Sequence, residues 1–362
     1  MARLEYRISI GQNPRSPVIV LVHGLGMTEG VWTDTYKGKL LGGLLPFRYV
    51  LTDLHNIPSP INLGFHDSEP KRRIRGITLS TPLENLSVPP EPLWQYLQGK
   101  GFDLIAWSQR RPSGPLEEGV KELDYILRVA KRRFPKKKIV LLGHSRGGLI
   151  ARVYLDKYYD YSGDIAGFIT LSSPHHGSRL ASFGKVLSPI LKALAMLLPE
   201  EIGELKSESL KRAEHLIKRI KDISRGEAFS ELSPNSIFLR NLRDEKIEDI
   251  YYSTFGGTNP TFTRIYLLEY DKSSYIKREK GFEWKITAKE LFSIPDILSR
   301  FTPPGFIPDE LRTGKGDGLV SAKSAHLDWS DERYDLPVNH ASILVDTEMK
   351  KRVSGILKTF VV

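Results

Sequence analysis

The sequence predicts an α/β fold, with a mostly parallel central sheet, helices on both faces and an inserted helical cap. Three observations carry that reading. Residues 18–22 (VIVLV) form an unbroken aliphatic run, the pattern of a strand buried on both faces rather than one. Comparable runs recur at 102–106, 139–142 and 165–171, and segments of helical periodicity separate them. Strand–helix alternation at this spacing implies right-handed crossovers and parallel neighbours.

Residues 4–10 alternate like a first strand, and the glycine-marked turn HGLGMTEGVW follows Val22. Residues 33–92 are irregular and rich in proline, an excursion with one extra strand expected at 48–51. A short helix is expected at 92–99. Over 116–134, Val120, Leu123, Leu127, Ala130 and Phe134 fall on one helical stripe, and 148–158 reads as another helix. Between residues 179 and 250 the strand signal vanishes. Ser188 is a fitting N-cap with Pro189 at the first helical position, and Ile190, Leu191, Leu194, Leu197 and Leu198 then share a face. A second amphipathic helix carries Ile202, Leu205, Leu216, Ile217, Ile220 and Ile223. The sheet is expected to resume at 250–255 and 264–268, and a helix over 347–360 closes the chain. The implied organisation is a core of 1–178 and 250–362 interrupted by a cap, or lid, over 179–249.

Composition narrows the function classes. A hydrophobic fraction of 40% with 27% charged residues describes a globular chain, not a disordered or fibrous one. The net charge of +10 is scattered in short runs (71–73, 132–133, 136–138) that read as solvated surface. No nucleic-acid signature accompanies it, so no nucleic-acid partner is expected. The chain has no cysteine, which excludes disulfides, thiolate metal sites and a cysteine nucleophile. Scarce Cys and Met beside abundant Lys, Arg and Glu fit a thermostable protein. The first ten residues lack the apolar core of a signal peptide, and 186–198 is too short and too interrupted by Lys192 to span a bilayer. The location expected is cytoplasmic, or secreted where a signal peptide was removed beforehand.

The chemistry centres on GHSRGG, residues 143–148, directly after an aliphatic strand and before a helical pattern. In that setting the glycines admit a sharp turn that exposes Ser145 as a nucleophile. A serine hydroxyl needs a base. Of nine histidines, His340 in LPVNHASIL precedes the last helix and is favoured over His326. The acid favoured is Asp317, between two glycines in GKGDG, with Asp328 and Asp331 as alternatives. Two backbone N–H groups are expected to receive a developing oxyanion, each worth about 3 kcal/mol of barrier. They are those of Arg146, after the nucleophile, and Leu25, in the turn after the 18–22 strand. His23, Gly24, His144, His175, Leu191 and Leu194 are the candidate pocket residues, although His23 and His144 better suit the shaping of their turns.

VHGLG, GHSRGG, SSPHHGS, GDGLVS and NHASIL occur in an order that resembles the bacterial triacylglycerol lipase and esterase group of the α/β-hydrolase superfamily. The resemblance covers the sheet-forming two-thirds of the chain. It implies the α/β-hydrolase fold and a Ser145–Asp317–His340 triad served by Leu25 and Arg146. The expected activity is hydrolysis of lipid-like acyl esters through an acyl-serine intermediate, with a lipid or small ester as substrate and transient contact with a lipid interface. An acyltransferase using the same triad, and a catalytically silent fold that binds anionic membranes, are the alternatives. Some relatives carry structural calcium or zinc. Asp328, Asp331 and Asp335 are acidic candidates here, but no metal or other cofactor is predicted.

Overall fold

No residue of the Val18–Val22 strand can face water favourably, and all five are buried at the middle of a seven-stranded sheet. A computed structural model describes residues 4–34, 38–40, 45–46, 63–64, 73–79, 91–160, 162–182, 227–261, 263–271, 285–294 and 307–361. The strands of the main sheet are β1 (Tyr6–Ser9), β2 (Val18–Val22), β3 (Asp103–Trp107), β4 (Ile139–His144), β5 (Ile165–Leu171), β6 (Tyr251–Gly257) and β7 (Glu332–Leu336). Their spatial order is β1-β3-β2-β4-β5-β6-β7. The β1–β3 pair is antiparallel and the other five pairings are parallel.

Four helices cover the sheet: α1 (Leu93–Gly99), α2 (Leu116–Arg133), α3 (Arg146–Lys157) and α4 (Thr347–Thr359). Successive strand residues point to opposite faces, so the core divides in two. Ile19, Leu21, Val140 and Leu142 pack with Leu97 of α1 and with Met349 and Val353 of α4. Val18, Val20 and Leu141 pack with Val120 and Leu123 of α2 and with Leu149 and Val153 of α3. The ends of the helices suit their dipoles. α2 opens with Glu117 and Glu118 and closes with Lys131, Arg132 and Arg133. Asp346 caps α4 by accepting the Met349 N–H at 2.7 Å.

Three expectations change. The run 264–268 does not rejoin the main sheet. It lies in Thr263–Asp271, which pairs with Lys285–Ile294 and Arg73–Leu79 in a separate antiparallel sheet that ends on Leu63–Gly64. A short apolar run suits either sheet, and its partner here comes from the distant excursion. Asp331, an alternative acid in the sequence, instead leads into β7, the edge strand. Its alternate residues face outward, where charge also discourages pairing with other chains. Finally, Lys137 is not solvated surface. Its ammonium bonds the Asp103 carboxylate and the Asn13 carbonyl (3.1 Å), while Asp103, fully buried, also accepts the Gly11 N–H at 2.9 Å. The expected strand at 48–51 and the cap helices with Leu191 and Leu194 lie outside the described residues. Among those described, no helix is long and apolar enough to cross a membrane.

Lys137→Met strands a buried carboxylate, so it is expected to lower unfolding free energy by about 3 kcal/mol. Adding Asp103→Asn should recover part of that loss. Urea titrations of the single and double variants check both values.

Candidate active site

β4 runs straight into α3 through Ser145, whose backbone adopts φ 55° and ψ −130°. A side-chain-bearing residue in that region stores about 1–3 kcal/mol of strain, so its surroundings must hold it there. The Ser145 N–H donates to Leu171 O (2.9 Å), and its carbonyl accepts from Gly148 N (3.1 Å). Strand and helix meet too closely for side chains: a Cβ on Gly143 would lie 2.5 Å from Gly148 Cα, and one on Gly147 would lie 2.1 Å from Val22 O. This contact also explains why α3 begins at Arg146 rather than at 148. Gly147 and Gly148 weaken helix propensity, but close packing on β2 decides the outcome.

Asp317 and His340 form a buried pair. The imidazole Nδ1–H donates to Asp317 Oδ2 at 2.8 Å, and the His340 amide donates to the Asp317 carbonyl at 2.9 Å. The other carboxylate oxygen accepts the Leu319 and Val320 N–H groups at 2.9 and 2.7 Å. With Nδ1 as donor, Nε2 keeps its lone pair for a proton. The Asp317 loop follows from GKGDG: Gly318 has φ 95°, and a Cβ on Gly316 would lie 2.5 Å from Glu310 Cα. Asn339 shapes the His340 loop, with Oδ1 accepting from Ala341 N and Ser342 N at 3.0 and 2.8 Å. Sequence reading passed over Asn339, although an Asn ahead of a short helical turn is the local signal for such a cap.

His144, the chain neighbour of Ser145, contacts the pair. Its Nε2–H donates to the His340 carbonyl at 2.8 Å, and the two rings lie 4.8 Å apart between centroids. Burial and the facing His340 hold its pKa well below that of a free imidazole, so it sets no positive charge beside that ring. Among the described residues the Ser145 hydroxyl makes no hydrogen bond.

The remaining candidates divide into framework and rim. Gly24 lies against the nucleophile: a Cβ there would stand 2.8 Å from Ser145 Cβ. His23 is buried. Its Nδ1–H donates to Gly24 O at 3.0 Å and its Nε2 accepts the Gln109 N–H at 2.9 Å, which fixes a neutral tautomer. Burial lowers its pKa to about 4, against opposing contributions from Gly24 O and Glu29. The Leu25 N–H has no partner among the described residues, and the Arg146 N–H, at the first turn of α3, has no intrahelical acceptor. His175 is buried, bonded to Thr170 Oγ1 at 3.1 Å and packed edge-on to Phe168, with its pKa held well below the usual imidazole range by burial. His326 bonds Asp335 (2.9 Å) and Thr254 (2.8 Å), not Asp317. Asp331 pairs with Lys246, and Asp328 pairs with Arg333 at 3.5 Å. Among the described residues no three acidic or histidine side chains cluster as a metal site.

Residues 118–213 match the family model of the PGAP1-like alpha/beta domain, a span that includes Ser145 but neither Asp317 nor His340. The mature form of lipase BlEst2 from Bacillus licheniformis is similar in structure, with a TM-score of 0.51 at 15% identity over 99% of this chain and 98% of that one. The chain has the α/β-hydrolase fold. The propeptide form of BlEst2 is also similar, with a TM-score of 0.53 at 16% identity, and the match covers 99% of this chain and 54% of that one. No curated protein sequence gives a significant match.

The buried histidines of this hydrolase fold give stability a defined pH dependence. Between pH 6.5 and about 4 the unfolded chain binds the His23 proton before the folded chain does. The His23 contribution to stability therefore falls as pH drops through that window and is lost below it. The full His23 effect is roughly 3 kcal/mol, and His144 and His175 act in the same direction. Urea midpoints at pH 7, 6 and 5 should decline, with a shallower slope for His23→Gln.

Proposed function

We propose that the protein is a serine carboxylic-ester hydrolase acting on lipid-like acyl esters through an acyl-serine intermediate. The observation that carries this reading is the buried Asp317–His340 clamp joined through His144 to a strained serine turn. Ser145 Oγ attacks the ester carbonyl carbon while its proton passes to His340 Nε2. Charge moves to the carbonyl oxygen, where the Leu25 and Arg146 N–H groups receive it. Collapse breaks the C–O bond to the alcohol, which leaves with the proton from Nε2. Water then attacks the acyl-serine by the same route and releases the acid. Asp317 stays ionised throughout and holds the imidazole in the required tautomer. Likeness of fold to a protein described as a lipase supports the acyl-ester substrate class, and no step calls on a metal or cofactor.

Ser145→Ala should cut p-nitrophenyl butyrate turnover by at least about 10⁴-fold and abolish labelling by a fluorophosphonate, with the urea midpoint retained. Undiminished turnover would overturn the mechanism. A p-nitrophenyl series from acetate to palmitate reads the acyl preference. His144→Phe removes the donor to the base's carbonyl and should lower kcat about tenfold, in line with one mispositioned catalytic group. Steady-state kinetics at pH 8 checks it.

A further inference from the structure

Arg146 follows the nucleophile directly, yet its side chain is fully buried and engaged elsewhere. One guanidinium nitrogen donates to Gln109 Oε1 at 3.2 Å and to the Pro112 carbonyl at 3.3 Å, and the other donates to the Gly114 carbonyl. All three acceptors sit on the loop that follows β3. That loop in turn holds the turn after β2. Pro112 O also accepts the Gly26 N–H at 3.0 Å, the Gln109 amide N–H donates to His23 Nε2, and Gln109 Nε2 donates to His23 O at 2.8 Å. Leu25 is thus bracketed by His23 and Gly26, and both are tied to residues that Arg146 clamps.

Keeping a guanidinium here has a cost. Burial pulls its pKa down to about 10, against Glu231, Glu118 and Glu122, and Nε has no partner among the described residues. A planar fork can meet three acceptors on one loop, which a lysine ammonium or an apolar side chain cannot reproduce. From these contacts we infer that the Arg146 side chain is a positioning residue for the Leu25 N–H. One residue then supplies one oxyanion donor from its backbone and sets the other through Gln109 and Pro112. The inference rests on the reading of Ser145 as the nucleophile.

The test compares Arg146→Gln, Arg146→Lys and Gln109→Leu in the full chain, with p-nitrophenyl butyrate as substrate and an alkyl boronic acid as tetrahedral-adduct inhibitor. A misplaced donor acts on the transition state. Arg146→Gln should therefore lower kcat about 10- to 100-fold with KM within about twofold. The boronate Ki should rise by the same factor, and the pH midpoint of kcat/KM should stay in place because Asp317 and His340 are untouched. Arg146→Lys should recover part of the loss, and Gln109→Leu should reproduce part of it. Should Arg146→Gln fail to fold, the other two variants carry the same comparison. Wild-type kcat and boronate affinity in the variants would overturn the inference, as would losses that only track the folded fraction. Absence of Ser145-dependent turnover in the wild type would instead overturn the hydrolase reading on which it rests.

Discussion

The reversal from β4 to α3 at Ser145 is the constraint on which the rest of the site depends. A helix can start one residue past a central strand only if its first turn lies almost on the neighbouring backbone. Val22 O and the bare α-carbons of Gly143 and Gly147 define that approach. The Ser145–Leu171 hydrogen bond then locks the turn to β5, so three adjacent parallel strands fix one hydroxyl. Strain at a single residue is small beside the burial of β2 and β4, and the sheet imposes it at little risk to the fold.

Around that turn, burial sorts the imidazoles by role. His23, His144 and His175 are kept neutral by desolvation and spend their ring nitrogens on framework bonds. Among the described histidines, His340 carries a buried carboxylate on Nδ1 and lies against the ring of His144. The same residue type thus serves as spacer, strut and carboxylate partner, and the partner of each ring nitrogen decides which. The two loops beyond β2 and β3 follow a similar logic. Neither has regular secondary structure to satisfy its carbonyls, so Arg146 and Gln109 do so from the side.

Much of this was legible in the sequence wherever the cause is local. The limits of the 18–22 and 165–171 strands, the α2 stripe and the glycine spacing around Ser145 all follow from side-chain periodicity and backbone sterics acting over a few residues. Asp317 and His340 were legible as types in the right turns. Other features were not. The run 264–268 read as main-sheet strand because its partner lies in the excursion. Lys137 looked like one of three surface lysines until Asp103 came opposite it.

By itself, then, the sequence determined the alternation of buried strands and amphipathic helices, and the turn that presents Ser145, since both are steric consequences of neighbouring residues. Only the tertiary structure decided that Asp317 rather than Asp328 or Asp331 meets His340, and that the Arg146 guanidinium reaches the 109–114 loop. The reason is physical. Such pairings join residues far apart in the chain, and the free energy that selects them exists only once packing has excluded water and brought their partners within hydrogen-bonding distance.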